Sequence, residues 1–442
     1  MAGPQGIDDI GWRARKFARG VPRPQMSRDR PARIVLITGS SLCHNPRALK
    51  SASALAHAGH RVSVLGAWHD AGFKARDQRL MQALPFQFVP VLDSTLSGPG
   101  AQLASFARRA GRRAANLVYG ATGLQSRHQL GFGIWRLLRE ALRSPADLYI
   151  AHSEPALHVA RTLLRRGLRI GVDLEDWFSE DLLPEARRHR PLALLRSLEK
   201  DLLTGSAYAS CPSHAMSAAL AKQYRCAAPA VIYNAFPWAE RELLDGCVDD
   251  RRNPQVPSIH WFSTTIGPGR GIEDLVAALP LLGHDVEIHL RGRPVPEFIA
   301  WVRASLPDRL LSKIFFHPLV TNDRLLNRIA EHDIGFAGEM KHSRNSDLTV
   351  SNKILHYLLG GLAVVASDTA GQCEVARRAP EAVQLYPSGD ARALAGILNG
   401  LLESPERRRH ARAAALRAAQ DVFCWERQEP ALLQAVEAAL AK

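Results

Sequence analysis

The chain has 442 residues, more than one ordinary core accommodates and about right for two domains of roughly 200 residues each. Its 46% hydrophobic and 23% charged residues are those of a folded globular protein, which excludes a wholly disordered chain. Lys and Arg number 57 against 43 Asp and Glu, and the resulting +14 favours anionic partners: phosphorylated ligands, nucleic acid or an acidic membrane surface.

The six cysteines stand far apart with no Cys-x-x-Cys spacing, so neither a zinc site nor a disulfide framework is expected, and a reducing compartment fits. No uncharged apolar run approaches the roughly 18 residues that span a bilayer. The N-terminus lacks the apolar stretch of a signal peptide. The expected location is cytoplasmic, with peripheral contact at the inner face of the cell membrane left open.

Residues 1–31 are basic and rich in Pro and Gly and read as a flexible tail. Within it Trp12, Arg13, Arg15, Lys16, Phe17 and Arg19 mix aromatics with cations, the composition either of a short interfacial anchor or of a solvated tail. The apolar run 33–38 predicts a buried strand. A turn at Gly39-Ser40-Ser41 follows, then a helix over 46–58 with Gly59 as its stop, then a strand over 61–65. A βαβ unit of this spacing implies a parallel sheet. Further strands are expected at 86–91, 148–151, 169–173, 207–210 and 230–233. Residues 101–143 interrupt the series with a basic helical insertion. Leu103, Phe106, Ala110 and Leu117 share one side of it, and Arg108, Arg109, Arg112 and Arg113 carry the charge. Such a helix either lies on anionic lipid or exposes a solvated charged face.

After a turn-rich stretch over 237–257, a second α/β series opens with a strand at 258–262 and continues at 285–290, 313–316, 333–336, 363–367 and 382–385. The expected architecture is α/β: two Rossmann-like parallel-sheet domains facing a cleft, over 32–240 and 256–420. A terminal helix within 421–442 is expected to pack back across the domain boundary.

Ligands of open parallel sheets bind beyond the carboxyl ends of the strands, so polar residues there are the first site candidates. Ser351 is a good N-cap and Gly360 or Gly361 a good C-terminal stop, which makes Ser351-Asn352-Lys353 the start of a helix of about two turns. Its free N–H groups favour an anion, although an ordinary capped helix has the same signature. Thr264-Thr265-Ile266-Gly267-Pro268-Gly269-Arg270-Gly271 is a glycine-rich loop where backbone can approach a ligand and Arg270 can pair with phosphate; a plain flexible turn is the other reading. His152-Ser153-Glu154 and Asp173-Leu174-Glu175-Asp176 follow neighbouring strands and can orient hydroxyls or supply a base. There is no Walker loop, no Gly-x-Ser-x-Gly, no His-Glu-x-x-His and no Asp-x-Asp element, so no metal and no cofactor is expected. Nothing resembles a helix-turn-helix or a zinc finger, and nucleic acid is not an expected partner.

Taken together these segments resemble the retaining GT-B-fold glycosyltransferases of family four (glycosyl transferases group 1), over roughly residues 32–440. The likeness rests on Asn45-Pro46-Arg47, His152, Val231-Ile232-Tyr233-Asn234, Ile266 to Gly271, and above all Ser351-Asn352-Lys353 through Gly361-Leu362-Ala363-Val364-Val365-Ala366-Ser367-Asp368. The resemblance implies transfer of a sugar from a nucleotide-sugar donor to a polysaccharide or lipid-linked acceptor, metal-independent and with retention of configuration. It implies catalytic roles for His152, Glu339, Arg270 and Lys353. Donor binding falls to Gly269, Arg270, Glu339, Thr349, Val350, Ser351, Asn352, Lys353 and His356. Acceptor-side candidates are Ser40, Asn45, Arg47, His152, Asp173, Glu175 and Asp176. Two departures matter. Thr265 sits about where the family usually carries an Arg before the diphosphate loop. His356 occupies the position where the family carries the Glu that holds the donor ribose, and an imidazole cannot offer a carboxylate's two acceptor oxygens. A catalytically impaired sugar-nucleotide-binding or scaffold protein on the same fold is therefore the alternative.

Overall fold

The computed structural model describes residues 31–188 and 190–441. The tail expected over 1–31 lies, but for its last residue, outside the described residues, and so do Trp12, Arg13, Arg15, Lys16, Phe17 and Arg19. The chain divides into two compact units. One holds the described residues up to Asp173, Ala193–Tyr208 and those from Ala435 onward; the other holds Leu174–Leu192 and Ala209–Gln434.

Seven strands make the first sheet: β1 (Arg33–Ile37), β2 (Arg61–Trp68), β3 (Gln87–Asp93), β4 (Leu148–His152), β5 (Ile170–Asp173), β6 (Tyr208–Cys211) and β7 (Ala230–Val231). Their order is β3-β2-β1-β4-β5-β6-β7. Six more make the second: β8 (Ser258–Ile266), β9 (Glu287–Pro294), β10 (Ile314–His317), β11 (Ile334–Ala337), β12 (Ala363–Ser367) and β13 (Val383–Tyr386), ordered β10-β9-β8-β11-β12-β13. Every described pairing is parallel, as it must be when successive strands are joined by helical crossovers. This is the two-sheet Rossmann-like GT-B architecture.

Both sheets reverse their strand order once, between β1 and β4 in the first and between β8 and β11 in the second. At such a switch point the two crossovers leave in opposite directions and open a crevice at the strands' carboxyl ends. The loops that flank these two crevices carry most of the site candidates.

Alternation along β12 shows why the second sheet is buried on both faces. Ala363 and Val365 join a core with Trp261, Leu290, Phe336 and the helix Ala391–Glu403. Val364 and Ala366 point the other way, into a core with the helix Asn352–Gly360 through Ile354, Tyr357 and Leu358. Among the elements not foreseen are two helices. The helix Ala71–Leu80 has a weak apolar stripe, but Asp70 caps it through a 2.9 Å bond from the Phe73 N–H. The short helix Arg344–Leu348 starts on a Ser343–Ser346 capping box. Among the described residues no helix is long and apolar enough to cross a membrane.

Candidate functional site

The switch point of the second sheet is closed by an exceptionally tight backbone approach. Gly271 sits at φ 76°, and a Cβ on it would lie 1.6 Å from the Gly338 carbonyl oxygen. Only glycine fits there, so the loop after β8 and the loop after β11 are held against each other. That contact sets Arg270 and Glu339 beside the same crevice. Arg270 Nη1 donates to Ser263 Oγ (3.1 Å), while the Gly269 N–H donates to Glu273 Oε1 (2.6 Å) and shapes the turn.

Ser351 caps the helix Asn352–Gly360, accepting from the Lys353 N–H at 3.2 Å. The same hydroxyl donates to Glu339 Oε1 (2.9 Å). Lys353 Nζ reaches that oxygen too, at 2.5 Å, and lies 5.5 Å from the centre of the Trp261 ring. Burial pushes the Glu339 carboxyl up, but Lys353, the Ser351 hydroxyl and Arg270 outweigh it and hold it below the ordinary carboxylate value. Its backbone is fixed by Ser367, whose Oγ accepts from the Glu339 N–H (2.9 Å) and donates to the Glu339 carbonyl (2.6 Å). Two cations, one carboxylate and a helix N-terminus thus gather at one switch point. This set can neutralise a diphosphate and hold a hydroxyl.

The remaining donor-side candidates divide. Asn352 lies at the helix start, where its Oδ1 accepts from Asn234 Nδ2 (3.0 Å). Thr349 ends the preceding short helix and donates to Asn345 Oδ1 (3.0 Å). Val350 is a core residue, 2% exposed. His356 shares the helix with Lys353 but not its surroundings. Its Nδ1 lies 3.0 Å from the Asn352 carbonyl, which can only accept, so the ring proton sits on Nδ1. Its ring packs against Phe236, centroids 3.5 Å apart, and meets Phe262 edge-on at 5.3 Å.

In the other unit a second polar cluster forms at the switch point of the first sheet. His152 and Asp173 are register partners at the ends of β4 and β5. Asp173 takes a bidentate pair from Arg47 (2.6 and 2.8 Å) and lies 3.3 Å from His152 Nδ1, with all three side chains buried. Asn45 caps the helix Pro46–His57 by accepting from the Ala48 N–H at 2.9 Å, and Ser40 Oγ pairs with Thr38 Oγ1 at 3.2 Å. Ser153, directly after His152, adopts φ 71° and ψ 160°, a region that belongs to glycine, and its Oγ accepts from the Gly39 N–H (3.0 Å). Glu175 and Asp176 belong to the other compact unit, where both are half-buried and Asn345 Nδ2 donates to Asp176 Oδ1 (3.0 Å).

Several positioning residues escaped the sequence reading. Asp77 is fully buried and accepts from the N–H groups of Leu42 and Cys43 and from Trp68 Nε1 (2.8–2.9 Å), clamping the loop after β1. Asn345 also accepts from the Trp177 N–H (2.8 Å) and so ties down residues 176–181. Ser263, beside Arg270, and Trp261, beside Lys353, are two more. Asp77 towards Leu42, Asn345 towards Trp177 and Trp261 towards Lys353 act on partners far along the chain, so none of these three carries a local sequence signal. Among the described residues no group of three or more His, Cys, Asp or Glu is arranged to hold a metal.

The fold defines the class: two Rossmann-like sheets with polar clusters at their switch points, as in GT-B proteins. No protein-family model matches the chain, and no curated protein sequence matches it. Solved structures do. HepE of Anabaena, determined with UDP and glucose, superposes with a TM-score of 0.65 at 16% identity, covering 92% of this chain and 99% of that one. Sucrose-phosphate synthase of Thermosynechococcus elongatus gives 0.66 at 16% identity, covering 91% and 97%. WaaG, a glycosyltransferase involved in lipopolysaccharide biosynthesis, gives 0.57 at 13% identity, covering 90% and 98%. At these identities the likeness is one of fold.

Proposed function

We propose that the protein is a glycosyltransferase that takes its sugar from a nucleotide-sugar donor bound at the Arg270, Glu339 and Lys353 cluster. The observation that carries this reading is the convergence of two cations, the Ser351 helix start and one ionised carboxylate at the switch point of the second sheet. The occurrence of HepE on the same fold with UDP and glucose supports it.

In this reading the donor diphosphate takes the place of Glu339 as the partner of Lys353. Arg270, Lys353 and the helix N–H groups then balance the charge that grows as the bond from the anomeric carbon to the phosphate oxygen breaks. Glu339, released from the lysine, accepts from a hydroxyl of the donor sugar. The acceptor hydroxyl attacks the same face of the anomeric carbon, and its proton passes to the departing phosphate, so configuration is retained. Because protein cations supply the positive charge, the reaction proceeds without a metal. On the acceptor half, Asp173 lies 3.3 Å from His152 Nδ1 and orients the imidazole that would face the reacting sugar. The acceptor class is a saccharide or lipid-linked saccharide.

One observation favours a second reading, a donor-binding protein with weak or no turnover. The packing of His356 between Phe236 and Phe262 leaves the ribose position without a carboxylate. Release of nucleoside diphosphate from a panel of UDP-, GDP- and ADP-sugars, with and without lipid acceptors, separates the two. Turnover that disappears in Arg270→Ala and Lys353→Ala supports transfer. Tight donor binding without turnover supports the binder. Donor affinity untouched by both substitutions removes the site.

A further inference from the structure

Helix Pro99–Thr122 is oriented the opposite way to an ordinary surface helix. Such a helix turns its apolar stripe to the core and its charges to water. Here Leu103, Phe106, Ala110 and Leu117 recur at helical spacing along one side, yet no residue of the helix is buried. Leu103, Phe106 and Leu117 are 69, 63 and 75% exposed. The side that leans on the rest of its unit carries Ala104, Arg108, Ala115 and Tyr119, all half-buried. That side is held by a 3.4 Å bond from Gln129 Nε2 to Asn116 Oδ1 and by Arg112 lying over the Phe132 ring at 5.4 Å. On the outward side, Phe106 and Leu117 bracket a shallow depression of about 500 Å³ floored by Ala110 and Ala114 and framed by Arg109 and Arg113.

Charge decides what fits this face. Residues 101–143 contain eight arginines and one carboxylate, Glu140. Among the described residues Arg108, Arg109, Arg112 and Arg113 form no ion pair. A second copy of the chain would set arginines against arginines. A nucleic acid would meet the cations and leave the leucines and Phe106 in water. A lipid surface with anionic headgroups satisfies both: the apolar row enters the acyl boundary while guanidinium groups bond phosphate oxygens. Trp135, 63% exposed on the next helix, Ile134–Arg143, adds a side chain suited to that boundary, with the Arg127 guanidinium 5.8 Å from its ring.

We propose that the outward face of helix Pro99–Thr122 docks the protein on an anionic lipid surface. This inference does not rest on the transferase reading. The test is co-sedimentation of the full chain with vesicles of phosphatidylcholine alone and of phosphatidylcholine mixed with phosphatidylglycerol. Binding to the mixed vesicles, weakened by salt, is expected. Phe106→Gln with Leu117→Gln, and separately Arg109→Gln with Arg113→Gln, should each weaken it by about tenfold or more, with the circular dichroism spectrum unchanged because these side chains are exposed. Unaltered binding in the Phe106/Leu117 variant would overturn the proposal by assigning the affinity to other basic segments. So would equal binding to neutral vesicles, or absence of vesicle binding together with a dimer, detected by light scattering, that the same variant dissolves.

Discussion

Lys353→Met removes one cation while keeping most of the side-chain volume. Lys353 Nζ lies 2.5 Å from Glu339 Oε1, and the two side chains are 10 and 21% exposed. Removing one partner of a fully buried pair costs about 3–5 kcal/mol. Glu339 keeps the Ser351 hydroxyl and some solvent, so about 2 kcal/mol of stability is the expected loss. The pH dependence has a definite sign. A carboxyl held below its unfolded value of 4.5 contributes stability that is present above that value and lost as pH falls through the folded one. Without Lys353 the principal cause of that depression is gone. Wild type and variant should therefore differ most at neutral pH and converge below pH 4.5. For donor binding, loss of one charge-assisted contact worth about 1.5–3 kcal/mol predicts a Kd roughly 10- to 100-fold higher. Urea titrations at neutral and acidic pH and calorimetry with nucleotide sugars measure both effects. A donor Kd within about twofold of wild type, alongside the stability loss, would refute the donor role and leave Lys353 as a structural partner of Glu339.

Three further outcomes are expected. Gly271→Ala, whose Cβ would meet the Gly338 carbonyl at 1.6 Å, should cost at least about 1–3 kcal/mol in denaturation and weaken donor binding by displacing the loop that carries Glu339. Arg47→Lys keeps the charge but loses the bidentate grip on Asp173, and about 2 kcal/mol of stability should go with it, together with turnover as His152 loses its fixed setting. Four histidines in ring contact, the stacked pairs His260–His332 and His289–His317 joined by a tilted His289–His332 contact, all have depressed basicity, and burial is the first cause in each; His289 is pushed down to about 2. The unfolded chain takes up protons below 6.5 that this cluster refuses, so stability must fall with pH from there downward. His260 and His289 alone should remove about 3 kcal/mol at one pH unit below that value, and His260→Phe should flatten the slope of urea midpoint against pH.

Much of the molecule is written locally. The strands expected at 148–151, 258–262 and 363–367 appear as Leu148–His152, Ser258–Ile266 and Ala363–Ser367, because apolar runs bounded by turn residues need no distant partner to be recognised. The helix start at Ser351 and its stop at Gly361, with φ 74°, were equally visible, since capping depends on one or two residues. The departure at His356 is a matter of residue identity and needed no coordinates. Strand order was not legible. Nothing between residues 37 and 148 says that β1 and β4 are neighbours, or that β8 lies beside β11, and those neighbours create the crevices. The Lys353–Glu339 pair, the Arg47–Asp173 clamp across 126 positions and the reach of Asp77 to the loop after β1 are likewise products of chain crossings. The same division holds for the basic helix. Sequence alone determined that residues 101–143 would present an apolar row and an arginine row, because helical period follows from local order. Only the tertiary structure decided that the apolar row faces water beside Arg109 and Arg113, because that depends on which side of the helix the rest of the unit packs against.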